Sequence, residues 1–534
     1  MSGPSVLRLF GRPIAHALSG LLAGAAGLSF AHLLAQFIDP NSSPVIAVGD
    51  AAIDAAPTAV KEWAIREFGS NDKHVLLLGI AAVLAVLTMI IGIVAAIRFS
   101  IGVLMVTVLG IVAIVAELGR PNATAGYPIP TVIGLAAAVG LLWSLLRALP
   151  HRATPDVATD PDEGSPEASR AAVPANRLVT GSRREFLVTG AGVSAAGLAA
   201  FGISSVVTRS KVAAVARSKL VLPAPVAVPT PLPSSVDLNI AGLAPFITPN
   251  ADFYRVDTAL VVPHVNPDKW KLTVDGMVDR PFSLSLQDIF AMPLTEHDVT
   301  VTCVSNEVGG PYVSNARWLG VALKTVLDKA GLNPEADQLF CTATDGFTTS
   351  TPIKLALDGR DAMIAVGMNG QPLPLEHGFP ARMIVPGLYG YVSACKWLTS
   401  IEVTSYANKQ AYWTQRGWDI NGPIYTEARI DVPNAGSQIK PGTVAVAGVA
   451  WAQHRGIAKV EVSIDGGDWQ PAMLASTPGI DTWRQWWLKW DATSGQHQIR
   501  ARATDATGQL QTANQQDVFP RGATGYPQTT VTVS

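Results

Sequence analysis

The sequence predicts a chain of three parts: an N-terminal α-helical transmembrane bundle, a central α+β domain, and a C-terminal β-sandwich. Three observations lead to this fold class. Long uncharged apolar runs fill the first part, short strand-like and helical patterns alternate in the middle, and an alternation of period two marks the last hundred residues. A chain of 534 residues is long enough for several such folding units.

The composition limits the possible partners of the chain. A formal net charge of -2, with 15% charged residues, offers no basic surface for nucleic acid, and the chain therefore predicts no nucleic-acid binding. The 48% of hydrophobic residues points instead toward membrane lipid. The three cysteines cannot build a disulfide framework, and none lies at zinc-ligand spacing.

The first element in chain order is a set of apolar segments. Each is roughly 18 to 23 residues long, enough for a helix to cross a hydrocarbon layer of about 30 Å. They cover approximately residues 15–38, 75–97, 99–116, 129–146 and 186–207. The first four predict a transmembrane region at 1–150, and the last predicts a fifth transmembrane helix at 186–207.

The orientation of these helices follows from the arginines in the short flanking segments, because cationic loops stay on the cytoplasmic side. Arg8 and Arg12 precede the first span, Arg98 lies between the second and third, and Arg147 follows the fourth. Alternation of the spans places all of these positions on one side. The sequence thus predicts a multi-pass protein of the cell membrane with a cytoplasmic N-terminus and with everything after the fifth helix extracytoplasmic.

Two connecting segments flank the fifth span. Residues 151–185 are rich in Pro, Asp, Glu, Ser and Ala and predict a disordered cytoplasmic linker. The linker runs into Ser182, Arg183, Arg184, Glu185, Phe186 and Leu187, which resemble a twin-arginine export motif; the alternative is two cytoplasmic arginines beside a helix. Residues 208–239 predict an extended tether, because 221–233 is rich in Pro, Val and Ala.

Two soluble domains come after the tether. In residues 240–427, strand-like runs at 271–274, 299–302 and 381–385 alternate with a helical pattern at 321–330, which predicts an α+β fold. In residues 428–534 the strands are short and alternate apolar with other residues, and Asp465, Gly466 and Gly467 make a hairpin turn. This spacing predicts an immunoglobulin-like β-sandwich.

Cys303 is the first candidate for chemistry. It ends a Thr-Val-Thr run and is followed by a loop that contains Gly309 and Gly310, so its thiol is expected to project from the end of a strand. The alternative is a buried cysteine that acts as a small hydrophobic residue. The other two cysteines, Cys341 and Cys395, are expected to be buried thiols.

Further motifs lie downstream of this cysteine in a fixed order. They are Thr302-Cys303-Val304-Ser305-Asn306, Arg317-Trp318-Leu319-Gly320, the stretch 369–374, His377-Gly378-Phe379-Pro380-Ala381-Arg382, and Lys396-Trp397. Together, over residues 247–534, they resemble the sulfite oxidase family. The resemblance implies a molybdenum–molybdopterin cofactor in the central domain, with Cys303 as the metal ligand.

The same resemblance implies the other cofactor-binding residues: Asn306, Arg317, His377, Arg382 and Lys396. Arginine and lysine are suited to the phosphate oxygens of such a cofactor. A thiolate ligand would also gain from nearby positive charge, which lowers the pKa of a cysteine. Alternatives stay open for two positions: His377 as a loop histidine that caps local carbonyls, and Arg317 as a structural salt-bridge partner.

Substrate recognition is implied for three further residues. The resemblance gives Arg255, Tyr412 and Arg521 catalytic roles, against the alternatives of surface arginines and a core tyrosine. One departure bears on the substrate, because Glu307 and Val308 stand where sulfite oxidases carry two arginines. A unit charge at about 4 Å near a protein surface is worth roughly 4 kcal/mol, so this exchange disfavours a sulfite dianion. A neutral sulfoxide or another oxyanion fits these residues no worse.

The expected activity is oxygen-atom transfer to or from a small-molecule substrate. No CxxCH motif occurs in the sequence, so electrons are expected to pass through a separate partner or the membrane. Haem b held by His32 and His74, or by His16 and His151, is not favoured, because interfacial histidines are common. The sandwich resembles the family's dimerisation domain, which implies a homodimer. Two alternatives are a sulfoxide reductase of the methionine sulfoxide type and a cofactor-free cell-surface binding protein.

Overall fold

The computed structural model describes residues 7–68, 72–120, 123–149, 188–192, 195, 209–227 and 231–534. The chain divides into two compact units. The first contains Met1–Ala56 and Glu67–Thr208, and the second contains Pro57–Arg66 and Arg209–Ser534. The predicted linker at 151–185, His151 within it, and the twin-arginine-like motif lie outside the described residues.

The first unit is built on four long apolar helices: α1 (Leu7–Ile38), α4 (Asp72–Ile97), α5 (Phe99–Leu118) and α6 (Pro128–Ala148). Each contains a segment that is long and apolar enough to cross a membrane, which confirms the first four predicted spans as helices. Glycines allow the helices to approach closely, since a Cβ on Gly20 of α1 would lie 2.7 Å from the backbone nitrogen of Gly92 on α4. Of the fifth predicted span, only 188–192 and 195 are described, and they are helical.

Two shorter helices follow α1 where the sequence predicts only a connection between spans. They are α2 (Pro44–Ala55) and α3 (Thr58–Phe68), and a 3₁₀ turn at Pro40–Ser42 precedes them. Pro44 begins α2, a position where its missing N–H costs nothing. Most of α3 belongs to the second unit.

The predicted tether at 208–239 is wrong over its first part. Residues Arg209–Lys219 form a helix, α7, because this stretch contains neither proline nor glycine and is rich in Ala, Lys and Arg. The prolines begin only at Pro223, and there the chain is irregular. This irregular segment contacts the central domain, because the Val226 N–H donates to the Leu294 carbonyl at 2.8 Å.

The central domain contains two sheets, which confirms the α+β prediction. One has the order β2-β1-β10-β5-β6 and the other β3-β4-β7-β8, with β9 paired to β7. The first sheet comprises β1 (Lys271–Gly276), β2 (Phe282–Ser285), β5 (Gln338–Ala343), β6 (Thr348–Pro352) and β10 (Leu398–Thr404). The second comprises β3 (Leu294–Thr302), β4 (Val313–Ala322), β7 (Met363–Met368), β8 (Gln371–Pro372) and β9 (Arg382–Ile384).

Short helices connect these strands, and both sheets contribute to one hydrophobic core. The helices are α8 (Leu286–Phe290), α9 (Leu323–Ala330), α10 (Ile353–Ala356) and α11 (Gly390–Ser393), with 3₁₀ turns at Leu375–His377 and Thr414–Arg416. Leu272 of β1, Val321 of β4 and Val326 of α9 are all fully buried in this core. Burial of these faces fixes where β3 and β4 end, and so positions the loop between them.

The C-terminal domain is the predicted sandwich of two sheets. One has the order β11-β13-β17-β16 and the other β12-β19-β18-β14-β15. The strands are β11 (Glu427–Val432), β12 (Gln438–Ile439), β13 (Gly442–Trp451), β14 (Ile457–Ile464), β15 (Gln470–Pro471), β16 (Met473–Leu474), β17 (Arg484–Ala492), β18 (Gly495–Asp505) and β19 (Gln528–Val533). The alternating Val460, Val462 and Ile499 are buried between the sheets, as predicted. Positive φ angles at Asp465 and Gly466 match the predicted hairpin turn.

Candidate active site

Cys303 directly follows the end of β3, as predicted. Its N–H donates to the Tyr312 carbonyl at 2.9 Å, and its own carbonyl accepts from the Asn306 N–H at 3.1 Å. Burial raises the pKa of the Cys303 thiol, while hydrogen bonds from Ser305 and the charge of Lys396 act in the opposite direction. The positive charge of Lys396 thus lowers this pKa, as expected, but the loss of solvation is the larger effect and the net shift is upward.

Asn306 holds the shape of the cysteine loop. Its side-chain oxygen Oδ1 accepts from the Tyr312 N–H at 2.7 Å and so bridges the two ends of the loop. Its Nδ2 is buried and has no hydrogen-bond partner among the described residues. A buried amide donor without a partner is rare in native proteins, so Asn306 offers a donor to a ligand in this loop.

Arg382 and His377 form the centre of a buried basic cluster. Arg382 donates through Nη1 to the His377 carbonyl at 3.1 Å, and its guanidinium lies 5.0 Å from the ring centre of Trp318. Burial lowers the pKa of Arg382 to about 10, and its Nε has no partner among the described residues. Burial, followed by the charge of Arg382, lowers the pKa of His377 to about 4. The imidazole is therefore neutral near pH 7.

Lys396 and Arg255 extend this cluster through a shared carboxylate. The Lys396 Nζ lies 2.6 Å from Oδ2 of Asp257, and the Arg255 Nε lies 2.8 Å from the same oxygen. Lys396 also donates to the Glu376 carbonyl at 3.2 Å. Burial lowers the pKa of Lys396 to about 8, although Asp257 acts in the opposite direction. Lys396 and Arg255 thus share the carboxylate of Asp257.

Tyr254 connects the cysteine loop to the basic cluster, and sequence reasoning did not identify it. Burial raises the pKa of Tyr254 far above its usual value; the charge of Cys303 raises it further and that of Arg382 lowers it. The tyrosine therefore lies within electrostatic range of both. A Cβ on Gly390 would lie 3.8 Å from the Tyr254 hydroxyl and from the Thr302 carbonyl, which places this hydroxyl at the end of β3. The feature of the sequence that could have drawn attention to Tyr254 is its position next to Arg255.

Arg317 lies apart from this cluster. Its Nε and Nη2 donate to the Asp298 carboxylate at 2.9 and 2.8 Å across the β3–β4 pair. Successive residues of a strand face opposite sides of the sheet, so Arg317 faces away from Trp318, which contacts Arg382. The structure thus places Arg317 as the salt-bridge alternative describes.

Tyr412 and Arg521 occupy two further positions. The Tyr412 hydroxyl accepts from Lys61 Nζ at 3.0 Å, and the Arg416 guanidinium lies 3.6 Å from its ring centre. Arg521 pairs with Asp419 at 3.0 Å, and 63% of its side chain is exposed. The exposed pairing of Arg521 sets it apart from the buried cluster around Arg382.

The C-terminal domain forms part of the surroundings of the cysteine loop. A Cβ on Gly309 would lie 3.5 Å from Pro527, and a Cβ on Gly525 would lie 3.7 Å from the Val308 side chain. Glu307, in the same loop, is exposed to solvent. Its charge therefore faces the solvent beside the loop rather than the buried cluster.

Comparisons with known proteins match the two soluble domains. The family model described as "Oxidoreductase molybdopterin binding domain" matches residues 259–413, and the one described as "Bacterial Ig domain" matches 427–501. The first matched region includes Cys303, His377, Arg382 and Lys396.

Individual relatives cover the chain to different extents. The mitochondrial sulfite oxidase of Homo sapiens is 32% identical over 302 residues, 48% of this chain and 55% of that protein. An uncharacterized oxidoreductase of Bacillus subtilis, YuiH, is 36% identical over 161 residues, 30% of this chain and 78% of that protein. The chain spans about half the length of the mammalian sulfite oxidases that it matches.

Among solved structures, the sulfane dehydrogenase SoxCD of Paracoccus pantotrophus is similar, with a TM-score of 0.48 and 21% identity. That similarity covers 59% of this chain and 96% of the other.

Proposed function

The chain belongs to the sulfite oxidase family of molybdopterin-dependent oxidoreductases, and we propose that it is a membrane-anchored enzyme that transfers an oxygen atom to or from a small substrate outside the cytoplasm. The observation that carries this proposal is the set of buried donors beside Cys303. Arg382 Nε and Asn306 Nδ2 both lack a partner among the described residues, within a cluster that also holds Lys396 and His377.

These residues fit the cofactor of the family. An unsatisfied buried donor costs about 1–3 kcal/mol, and the phosphate and carbonyl oxygens of a molybdopterin would accept from such donors. Arg382, Lys396 and His377 would hold the phosphate-bearing end, and Cys303 would supply the sulfur ligand of the metal. When bound, the cofactor supplies a metal centre that changes by two electrons as the oxygen atom is exchanged.

The chain's own residues orient and neutralise the bound group. Arg382 is held over Trp318 and by the His377 carbonyl, so its guanidinium keeps one direction. Lys396 is fixed between Asp257 and the Glu376 carbonyl. Neutral His377 contacts the Asn250 carbonyl at 3.0 Å through Nε2 and adds no further charge to the cluster. A site arranged before binding loses little side-chain entropy when the ligand enters.

The first test is the molybdenum content of the purified full-length protein, measured by elemental analysis after expression in a host that makes the cofactor. We expect near-stoichiometric molybdenum, because the buried donors and the thiol leave the site incomplete without it. Metal-free protein from such a host would contradict the proposal and favour the cofactor-free binding protein.

For the substrate, we propose a neutral sulfoxide or a related small molecule in preference to sulfite. The exposed carboxylate of Glu307 directly follows Asn306 in the cysteine loop, where the family carries an arginine. Like charges repel, so Glu307 disfavours the approach of a dianion and leaves a neutral substrate unaffected. Steady-state assays with sulfite and with sulfoxides would show whether the enzyme takes electrons from its substrate, as an oxidase does, or gives electrons to it, as a reductase does.

The Glu307→Arg variant tests this preference. We expect kcat/KM for sulfite to rise about tenfold, since an exposed charge acts through screened solvent, and kcat/KM for dimethyl sulfoxide to stay unchanged. Glu335→Arg, which makes the same charge change at another exposed position, is the matched control and should alter neither value. If Glu307→Arg changed kcat/KM equally for sulfite and for dimethyl sulfoxide, the charge of Glu307 would have no role in the choice of substrate.

For the location, we propose a cytoplasmic N-terminus and an extracytoplasmic catalytic domain. Lys61, which lies in the chain between α1 and α4, contacts Tyr412 of the central domain. This contact supports a common side of the membrane for the two segments, and Arg8 and Arg12 favour a cytoplasmic start of α1. Export by the twin-arginine-like motif, a homodimer through the sandwich, and a separate electron-transfer partner are parts of the same proposal.

A further inference from the structure

The helical unit contains a buried polar cluster that the proposed catalysis does not use. Glu117, in the last turn of α5, is fully buried; its Oε1 accepts from Thr131 Oγ1 of α6, while its Oε2 has no partner among the described residues. Gln36, in the last turn of α1, is 5% exposed, and its Oε1 also has no partner in the part of the chain that the structure describes. Both side chains lie in helices long and apolar enough to span a membrane.

The side chains of Glu117 and Gln36 lie at the same level of the bundle. A Cβ on Gly134 of α6 would lie 2.7 Å from the Ala31 side chain, and a Cβ on Gly126 would lie 3.7 Å from the Ile38 side chain. Helices α1 and α6 therefore run antiparallel, and Gln36 is level with the first turn of α6. Thr131, which binds Glu117, belongs to that turn.

Further polar groups continue the cluster around the bundle. His32 lies one turn before Gln36 on the same face of α1, and its Nδ1 lies 2.9 Å from the Ser43 hydroxyl at the start of α2. Asp50 of α2 pairs at 3.0 Å with Arg120, one turn beyond Glu117. Four elements thus contribute polar side chains to one end of the bundle.

Packing alone does not account for these groups. The helices approach one another through glycine and alanine, and a buried polar atom without a partner destabilises a bundle in lipid. Ionisable side chains inside membrane helices commonly mark paths or sites for ligands and protons. The cluster lies at the ends of the apolar segments, the depth at which a polar ring with an apolar tail resides in a bilayer.

We propose that this end of the helical bundle binds the head group of a lipid-soluble quinol. The ring carries two oxygens on opposite sides, and Glu117 Oε2 and Gln36 Oε1 would accept hydrogen bonds from the two hydroxyls of the quinol. His32 adds a ring nitrogen on the same face as Gln36. The apolar helix surfaces accommodate the tail.

The exchange of electrons rests on the proposed function. A reduced substrate, water and a quinone give the oxidised substrate and a quinol, with two electrons and two protons passing to the quinone. The reverse reaction consumes the quinol and reduces a sulfoxide to the sulfide and water. The binding site itself is testable without either reaction.

The experiment measures equilibrium binding of decylubiquinol and of a short-chain menaquinol, kept reduced under anaerobic conditions, to the full-length protein in lipid nanodiscs. We expect saturable binding of at least one of them, and a rise in Kd of about tenfold or more in Glu117→Leu and in Gln36→Leu. Thr107→Leu, at an exposed polar position of α5, is the matched control and should bind as the wild type does. Absence of binding to the wild type, or unchanged Kd in both leucine variants, would overturn the proposal.

Two further measurements separate binding from folding and from catalysis. Leucine in place of an unpartnered polar group should leave the Tm of the bundle unchanged or raise it. Should Glu117→Leu fail to fold, Glu117→Gln keeps one acceptor for Thr131 but replaces the other oxygen by an amide donor. Wild-type quinol binding by that variant would overturn the site. Turnover with an artificial dye should be unaffected in Glu117→Leu. If the wild type shows no turnover with a dye but binds the quinol, the proposed function fails and the quinol site stands.

Discussion

The Cys303→Ser variant should keep its fold and lose turnover by at least about a hundredfold. Loss of a residue that only supports a metal ligand lowers metal affinity or activity by about 10–100-fold, so loss of the ligand itself should lower activity further. A serine hydroxyl is a harder donor than a thiolate and holds its proton more strongly, which suits a soft metal site poorly. The measurement is kcat with a dye as electron carrier, beside molybdenum content and Tm.

Cys341→Ala is the matched control for this variant. Cys341 is fully buried in β5, where its Sγ lies 3.8 Å from the Met383 sulfur. Its truncation should lower the free energy of unfolding by about 1 kcal/mol and leave kcat unchanged. Full activity of Cys303→Ser would show that Cys303 is a small buried residue without a role in the chemistry.

The Arg382→Leu variant should lose bound cofactor while remaining folded. Arg382 is 4% exposed and has no carboxylate partner among the described residues, so an apolar side chain of moderate size should be tolerated in its place. The phosphate-bearing end of the cofactor would, however, lose the donor that Arg382 Nε offers. We expect molybdenum content to fall about tenfold or more, with the Tm of the cofactor-free protein unchanged or higher.

Arg317→Leu provides the comparison. The guanidinium of Arg317 is engaged by Asp298 on the other face of β4, so its loss should leave molybdenum content unchanged and lower the free energy of unfolding by about 1 kcal/mol. Loss of molybdenum from Arg317→Leu to the same extent as from Arg382→Leu would return Arg317 to the cofactor site.

The residues near Cys303 illustrate how much local sequence can predict. Cys303 lies at the end of β3 because a run of alternating residues ends there, and this is visible in the sequence. His377 and Arg382 are five residues apart and meet through a single carbonyl contact. Residues this close in the sequence are held near each other by the local backbone, so the proximity of His377 and Arg382 could be predicted.

Other features depend on contacts that the sequence does not display. Asp257 becomes the shared partner of Lys396 only through a contact across 139 positions of the chain. Tyr254 is adjacent to Arg255 but gains its importance from Cys303 and Arg382, which lie far away in the sequence. The separation of Arg317 from Trp318 was predictable, because neighbouring residues of a strand face opposite sides.

For the membrane-anchored enzyme proposed above, helix α7 affects whether the catalytic domain can be released by proteolysis. Arg217 donates to the Leu373 carbonyl at 2.7 Å and to the Pro372 carbonyl at 2.7 Å, so the helix is fastened to the domain that follows it. A peptidase cuts an extended backbone, but Arg209–Lys219, which follows the fifth predicted span, is helical and would have to unwind first. We therefore expect the folded enzyme to resist shedding. The anchored enzyme would then act only in the solution next to the lipid surface, and dissolved substrate would have to reach that surface before it is converted.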